Sequence, residues 1–283
     1  MSNDAIHAHG WSHRESLSPS ERLEVLALLD RVETETSRES LDETRRRAVV
    51  HGWPTSHWLS YQGTSLTGYA QSSSENVLSV EMAGGHVDDS LLATLRQRSA
   101  VINWWTRNGQ IHAAAKVIRS LQLLTISLPV EQVSPPHDVA IRTIEPSRDE
   151  EPWLLENNRA FADHPEQGAW TLEDLRSRTS EPWFDPSGFL LLTQDDNIVA
   201  SCWTRVHELH PERFGEIYVI SVDPKVQGRG LGRVALSQGL NHLRRRGVSR
   251  VELFVDESND AARAMYERIG FTLHRVDHLL QFS

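Results

Sequence analysis

Cysteine is almost absent from this sequence. Its 283 residues include one, Cys202, so no disulfide can form within the chain. Cys202 lies in the apolar stretch 198–203 and is expected to be a buried strand residue rather than a nucleophile. Long apolar runs are absent too, and no window approaches the roughly 20 residues that cross a bilayer. The opening residues, MSNDAIHAHGWSHRES, contain no apolar core of a secretory leader, so a cytoplasmic location is the expectation. Positive charge is in deficit: 29 Lys and Arg stand against 39 Asp and Glu, a formal net charge of -10. Binding nucleic acid backbones takes a basic face, so no nucleic acid partner is expected. The run Arg244-Arg245-Arg246 does not change this, because it falls where a helix would end and cations there complement the dipole. The 14 histidines form no HExxH pattern and no paired CxxC exists, so no metal is expected.

The richest stretch that is present is 216–234, EIYVISVDPKVQGRGLGRV. A β-branched run over 217–222 ends at Asp223-Pro224. Gln227-Gly228-Arg229-Gly230-Leu231-Gly232 follows, then an amphipathic segment over 234–243. This order predicts a strand, a glycine-rich turn and a helix. The start of such a helix presents unpaired N–H groups and the positive end of a dipole, which favours a phosphate. The glycines let the backbone approach the anion with no Cβ in the way, and Arg229 and Arg233 add positive charge. Two common phosphate loops do not fit. A mononucleotide loop needs GxxxxGK followed by Ser or Thr, and no such pair occurs here. A dinucleotide loop needs GxGxxG, and position 233 is Arg.

Downstream, 251–256 (VELFVD) alternates like a strand. Residues 259–271 then read as a helix with Asn259 at its start and Gly270 past its end. Ala262 and Tyr266, four apart, share one face of that helix. From the residues alone Tyr266 is either a packing aromatic or a group at a reacting centre.

The length suits two domains. Residues 130–152 are rich in Pro and charge, which predicts a linker around 130–138, a new strand over 139–144, and two domains, 1–135 and 139–283. The first half echoes the second in order. A helix is predicted over 20–32. Strands at 58–61 and 66–70 flank Gln62-Gly63-Thr64 as 189–193 and 198–203 flank 194–197. Residues 76–82 stand where the strand before the glycine loop stands, and 119–124 parallels 275–280. The shared order predicts a duplicated domain. The corresponding first-half loop, 83–90, has two glycines, but Asp88 and Asp89 would repel a phosphate and no arginine accompanies them. The first domain is therefore expected to bind no such ligand well and to supply structure and one wall of a substrate site.

The string Val-Asp-Pro followed by Gln-x-x-Gly-x-Gly resembles the acyl-CoA pyrophosphate loop of the GNAT N-acetyltransferases. The pattern N-x-A-A-x-x-x-Y-x-x-x-G-F over 259–271 resembles their fourth-helix signature. Four further motifs, HPEQGxWT at 164–171, EPWFDP at 181–186, CWxxVH at 202–207 and GEIYVISVDP at 215–224, together resemble the mycothiol synthases, a two-domain GNAT family. The likeness is strong from about 155 to 283 and faint over 1–135. It implies an α+β (mixed α/β) fold of two tandem GNAT acyl-CoA N-acyltransferase domains, the N-terminal one degenerate. It also implies a monomeric enzyme that uses acetyl-CoA as co-substrate, without a metal. The acceptor it implies is a small-molecule thiol precursor, the cysteinyl amine of a cysteine–glucosamine–inositol conjugate.

The resemblance also implies roles for residues. Ile220, Ser221 and Val222 would pair with pantetheine, and a Val222 N–H would polarise the thioester. Gln227, Gly228, Arg229, Gly230, Leu231, Gly232 and Arg233 would cradle the pyrophosphate, and Asn259, Asp260, Ala261, Ala262, Arg263 and Ala264 would border the CoA arm. Glu216 would be the general base and Tyr266 the acid for the departing thiolate. Glu39, Glu166, Arg205, Glu216 and Phe254 would bind substrate. Arg205 stands where that family commonly has Lys, Phe254 where it commonly has Tyr, and Ser221 where a smaller residue is usual. Two rival readings remain at this point. Acetylation of another small amine or a protein N-terminus would use Glu216, the loop and Tyr266 without requiring HPEQG or EPWFDP. A non-catalytic acyl-CoA-binding module would need neither Glu216 nor Tyr266.

Overall fold

The computed structural model describes residues 10–36, 39–74, 77–107, 109–162, 168–209 and 212–283. The first half contains β1 (Trp11–Arg14), α1 (Pro19–Thr36), α2 (Glu43–His51), β2 (Ser56–Gln62), β3 (Ser65–Ser74), β4 (Leu78–Met82), α3 (Asp89–Arg96), β5 (Ile102–Thr106) and β6 (Lys116–Ser127). The second contains β7 (Ala140–Thr143), α4 (Glu150–Ala160), α5 (Leu172–Thr179), β8 (Phe189–Gln194), β9 (Asn197–Leu209) and β10 (Glu212–Val222). It continues through α6 (Leu231–Arg245), β11 (Arg250–Asp256), α7 (Asp260–Ile269) and β12 (Thr272–Phe282). All the strands join one mixed sheet in the order β1-β2-β3-β4-β5-β12-β6-β11-β10-β9-β8-β7.

Local chemistry sets the boundaries. Asp195 and Asp196 both take positive φ, 49° and 61°, in the two-residue turn that joins β8 to β9, a conformation short polar side chains tolerate. Asn259 caps α7 by accepting from the Ala262 N–H, and Gly270 ends it at φ 109°. Thr171 and Asp174 form a reciprocal capping box on α5.

The order of strands near the middle of the sheet reports an exchange. β6, the last strand of the first half, lies between β11 and β12 of the second, antiparallel to both. β12, the last strand of the chain, pairs in turn with β5 of the first half. The two matched sequences 119–124 and 275–280 thus lie side by side, with Ser120 opposite His278. Each half of the sheet is completed by the terminal strand of the other.

Packing follows the alternation of β9. Cys202 faces α6, in a core with Leu236, Leu240, Leu253 and Tyr266. Trp203 faces α4, where it stacks on Phe189 at 4.4 Å and meets Trp153 edge-on at 6.0 Å. In the first half Trp58, Trp104, Leu91 and Leu95 form a core that also takes Leu280 and Phe282 from β12.

Two parallel strand pairs occupy equivalent places in the halves and behave differently. β4 and β5 stay paired at four positions, from Leu78 opposite Ile102 to Glu81 opposite Trp105. β10 and β11 pair only at Gly215 with Val251 and Glu216 with Glu252. Beyond Glu216 they diverge, and β10 carries an irregularity against β9 between Ile217 and Val219 that leaves Tyr218 extra.

Phe282 is 1% exposed, so Phe282→Ala should cost about 3–5 kcal/mol although it lies at the chain's end. Chemical denaturation should register that loss and also show first-half tryptophans reporting it, because the side chain sits in their core.

Candidate active site

The gap between β10 and β11 opens into a cavity of about 1240 Å³ that reaches from the glycine loop to the first half. On the second-half side Ile220, Ser221 and Val222 run along one wall, with Leu253, Phe254 and Val255 of β11 opposite. Asp223 donates its N–H to Val199 of β9 at 3.0 Å. Alternation along the strand turns the Val222 N–H the other way, into the gap. The Val222 carbonyl on that side accepts from Gln227 Nε2 at 3.4 Å.

The glycine loop lies at one end. Gly230 takes φ 79° as the N-cap of α6, and among the described residues no side chain caps that helix start. Gly232 is needed for close approach, since a Cβ there would come within 3.2 Å of Met265 Sδ and 3.3 Å of Val222 Cγ2. Gln227, Gly228, Gly230, Leu231, Gly232 and Arg233 all line the cavity. The first-half loop differs at the same place. Asp88 caps α3 by accepting from the Leu91 N–H at 2.8 Å, so a carboxylate already occupies that helix start. Arg107 crosses Gly85 so closely that a Cβ would fall 2.6 Å from its Cγ.

Several residues named from sequence lie elsewhere. Arg229 is turned away from the cavity, pairing with Asp138 at 2.7 Å and Gln194 at 2.9 Å. Asp260 and Arg263 bond each other at 3.1 Å, with Arg263 also reaching Gln122 and the Glu257 carbonyl. Neither they nor Ala264 line the cavity, whereas Asn259, Ala261 and Ala262 do. Helical geometry is the reason: only the face carrying Ala262 and Tyr266 turns inward. Glu166 lies outside the described residues.

Tyr266 lines the cavity and is otherwise buried, which pushes its phenol above its usual range and keeps it protonated. Cys202 on β9 is fully buried and its thiol is pushed up to about 12, so it is no nucleophile at neutral pH.

Glu216 lies in the middle of β10, paired to Arg205 on β9 and Glu252 on β11. Its Oε2 is 2.6 Å from His207 Nε2, and His207 Nδ1 is 3.3 Å from Glu39 Oε1. Arg205 reaches Glu39 at 3.4 Å and lies over the Trp183 ring at 4.6 Å. Glu39 belongs to the first half, so the two halves meet at this cluster. Burial works against the Glu39 charge, but His207 and Arg205 outweigh it and hold the carboxyl at about 2. His207 was missed from sequence as a site residue; its fixed place beside Arg205 in CWxxVH was the available signal.

The walls beyond this cluster are polar. Tyr218 donates to Glu43 at 2.5 Å and accepts from Arg178 at 3.1 Å, and Arg47 pairs with Glu181 at 2.6 Å, so α2 and α5 are joined across the cavity mouth. Asp42, Arg45, Glu81, Arg107 and Ser79 line the first-half end. Phe254 is 44% exposed to the cavity, with Arg275 at 5.7 Å over its ring. Among the described residues no cluster of His, Cys, Asp or Glu could hold a metal, and no helix is long and apolar enough to cross a membrane.

A strand pair beside a helix start, laid out twice and opened in the second half, is the plan of a tandem GNAT acyltransferase. The acetyltransferase (GNAT) family model matches residues 142–271. A GCN5-related N-acetyltransferase from Sphaerobacter thermophilus shares the fold with a TM-score of 0.70, 21% identity, and coverage of 96% of this chain and 95% of that one. Mycothiol acetyltransferase of Thermobispora bispora is 39% identical over 284 residues, covering 92% of this chain and 95% of the relative. That of Thermomonospora curvata is 47% identical over 203 residues, covering 68% and 67%. The chain belongs to the mycothiol acetyltransferase family and is an acetyl-transferring enzyme.

Ser221 donates to Glu156 Oε2 at 2.7 Å and bonds Ser201 at 2.7 Å, and Trp153 donates to Ser201. Glu156 is fully buried, and burial raises its carboxyl to about 7. A raised carboxyl stabilises the fold fully below its unfolded value near 4.5, and the contribution disappears as pH rises through about 7. Glu156→Gln keeps an acceptor for Ser221 without titrating. Its stability relative to wild type should therefore rise by roughly 2–3 kcal/mol between pH 4.5 and 7 and then level off. Denaturation curves across that pH range check this.

Proposed function

We propose that this enzyme transfers the acetyl group of acetyl-CoA to the cysteinyl amine of 1-D-myo-inositol 2-(L-cysteinylamino)-2-deoxy-glucopyranoside, giving mycothiol by direct attack of the amine on the thioester. The observation that carries this reading is one continuous cavity, which joins the glycine loop and diverging strands to the acidic and basic side chains of the first half. A small amine would not require that polar extension, whereas a sugar–inositol acceptor offers hydroxyls to Arg45, Arg107, Glu81 and Ser79.

The residues fit the cosubstrate. The first-turn N–H groups of α6 lack a side-chain cap among the described residues and can take a pyrophosphate together with Arg233. The free edge of β10 over 217–222 can pair with an extended pantetheine arm, in the manner of a lost β11 neighbour. Acetyl-CoA supplies the activated acyl group. The α-amino group of a cysteinyl acceptor has an ordinary pKa near 8, so attack requires removal of a proton. Glu216 takes that proton. The Val222 N–H receives the developing charge on the carbonyl oxygen. Tyr266 gives its proton to the sulfur as the C–S bond breaks, leaving free CoA thiol and the new amide. Phe254 offers the acceptor a ring face without a hydroxyl. The first half would hold acyl-CoA poorly, since β4 and β5 are not separated and Asp88 caps the helix start.

Purified enzyme should release CoA thiol with the conjugate and not with plain cysteine or glucosamine. Acetyl-CoA binding with no turnover of the conjugate would move the acceptor to another amine. Glu216→Gln should leave acetyl-CoA affinity nearly unchanged and lower turnover by about 10²–10⁴-fold. Unchanged turnover would remove Glu216 from the chemistry.

A further inference from the structure

The geometry points to His207 as a positioning residue whose doubly protonated ring ties Glu216 of the second half to Glu39 of the first. This rests on Glu216 being the base. Both ring nitrogens face carboxylate oxygens, Nε2 at 2.6 Å from Glu216 and Nδ1 at 3.3 Å from Glu39. A neutral imidazole carries one N–H and one lone pair. In either tautomer the lone pair would point at a carboxylate. Only the imidazolium donates to both.

The ring is packed on the neighbouring strand. It projects from β9 opposite Phe214 of β10 and stacks on that ring at 4.6 Å with 5° between planes. Its side chain is 5% exposed. The charges around it come from each neighbouring element: Glu216 on β10, Glu252 on β11, Arg205 on β9, and Glu39 before α2. Arg250 lies over Phe214 at 4.8 Å. Burial disfavours a charged ring, yet the two carboxylates overcome it and raise His207 to about 9.

The arrangement has a consequence for the reaction. Glu39 and Glu216 thus face two cations, His207 and Arg205, within one cluster. The bond to His207 engages Oε2, which leaves Oε1 for the proton of the entering ammonium. Since Glu39 comes from the first half, the second half's base is held in register by a contact that exists only when both halves are assembled.

Nitrogen-15 NMR of the wild-type enzyme tests the ring directly. At neutral pH His207 should carry protons on both nitrogens, and a neutral tautomer would overturn the inference. In the pH profile of kcat/KM for the conjugate, His207→Gln removes the cation that Glu216 and Glu39 both face. The acid limb should therefore move up by about one pH unit or more, with the lost rate recovered above it. A uniform loss at every pH with the limb in place would mean a structural role only and would also overturn it. The NMR result decides the matter if the variant does not fold. Absence of conjugate turnover by wild type would refute the acceptor assignment while leaving the ring's state measurable.

Discussion

The separation of β10 from β11 after Glu216 is the constraint on which the rest of the molecule depends. Parallel strands normally continue their ladder, and leaving one edge without partners costs free energy unless something else meets its polar groups. Here the strands are held apart by what lies on either side. Tyr218 is an extra residue in β10, anchored to Glu43 and Arg178, and α6 packs close against Val222 through Gly232. The cavity, the inward Val222 N–H and the access of Tyr266 all follow from that divergence. The first half has the same plan without it: its strands stay paired, a carboxylate caps its helix, and its residues form one wall of the cavity.

That wall cannot be detached. Exchange of the terminal strands puts Leu280 and Phe282 in the first-half core and β6 against β11, the strand that forms one side of the cavity. Side-chain contacts reinforce the seam: Arg47 to Glu181, Tyr218 to Glu43, and the Glu39–His207–Glu216 series. The domains read as 1–135 and 139–283 are therefore best regarded as two structural repeats interlocked through one sheet.

Much of the second half was legible in the chain. The strand, glycine loop and helix over 216–234, and the helix from Asn259 to Gly270, are set by local rules: β-branched runs, positive-φ glycines, caps and periodicity. The placement of Arg229 and Arg263 was not legible in the same way. Long side chains choose partners by proximity, and Asp138 and Asp260 were nearer than the cavity. Glu39 illustrates the opposite limit, since the demand for a first-half carboxylate could be stated but its neighbour, His207, is 168 positions away in the chain.

The sequence by itself determined the glycine loop with its strand and helix, the repeat and the acyltransferase class, because glycine spacing, capping and hydrophobic alternation act over a few residues and carry their chemistry with them. Tertiary structure decided which strands were exchanged, where β10 and β11 part, which arginines face the cavity, and that one imidazole spans two carboxylates from different halves. Those outcomes depend on distances of a few ångströms between residues remote in the chain, where burial and Coulomb energy compete and no local pattern records the winner.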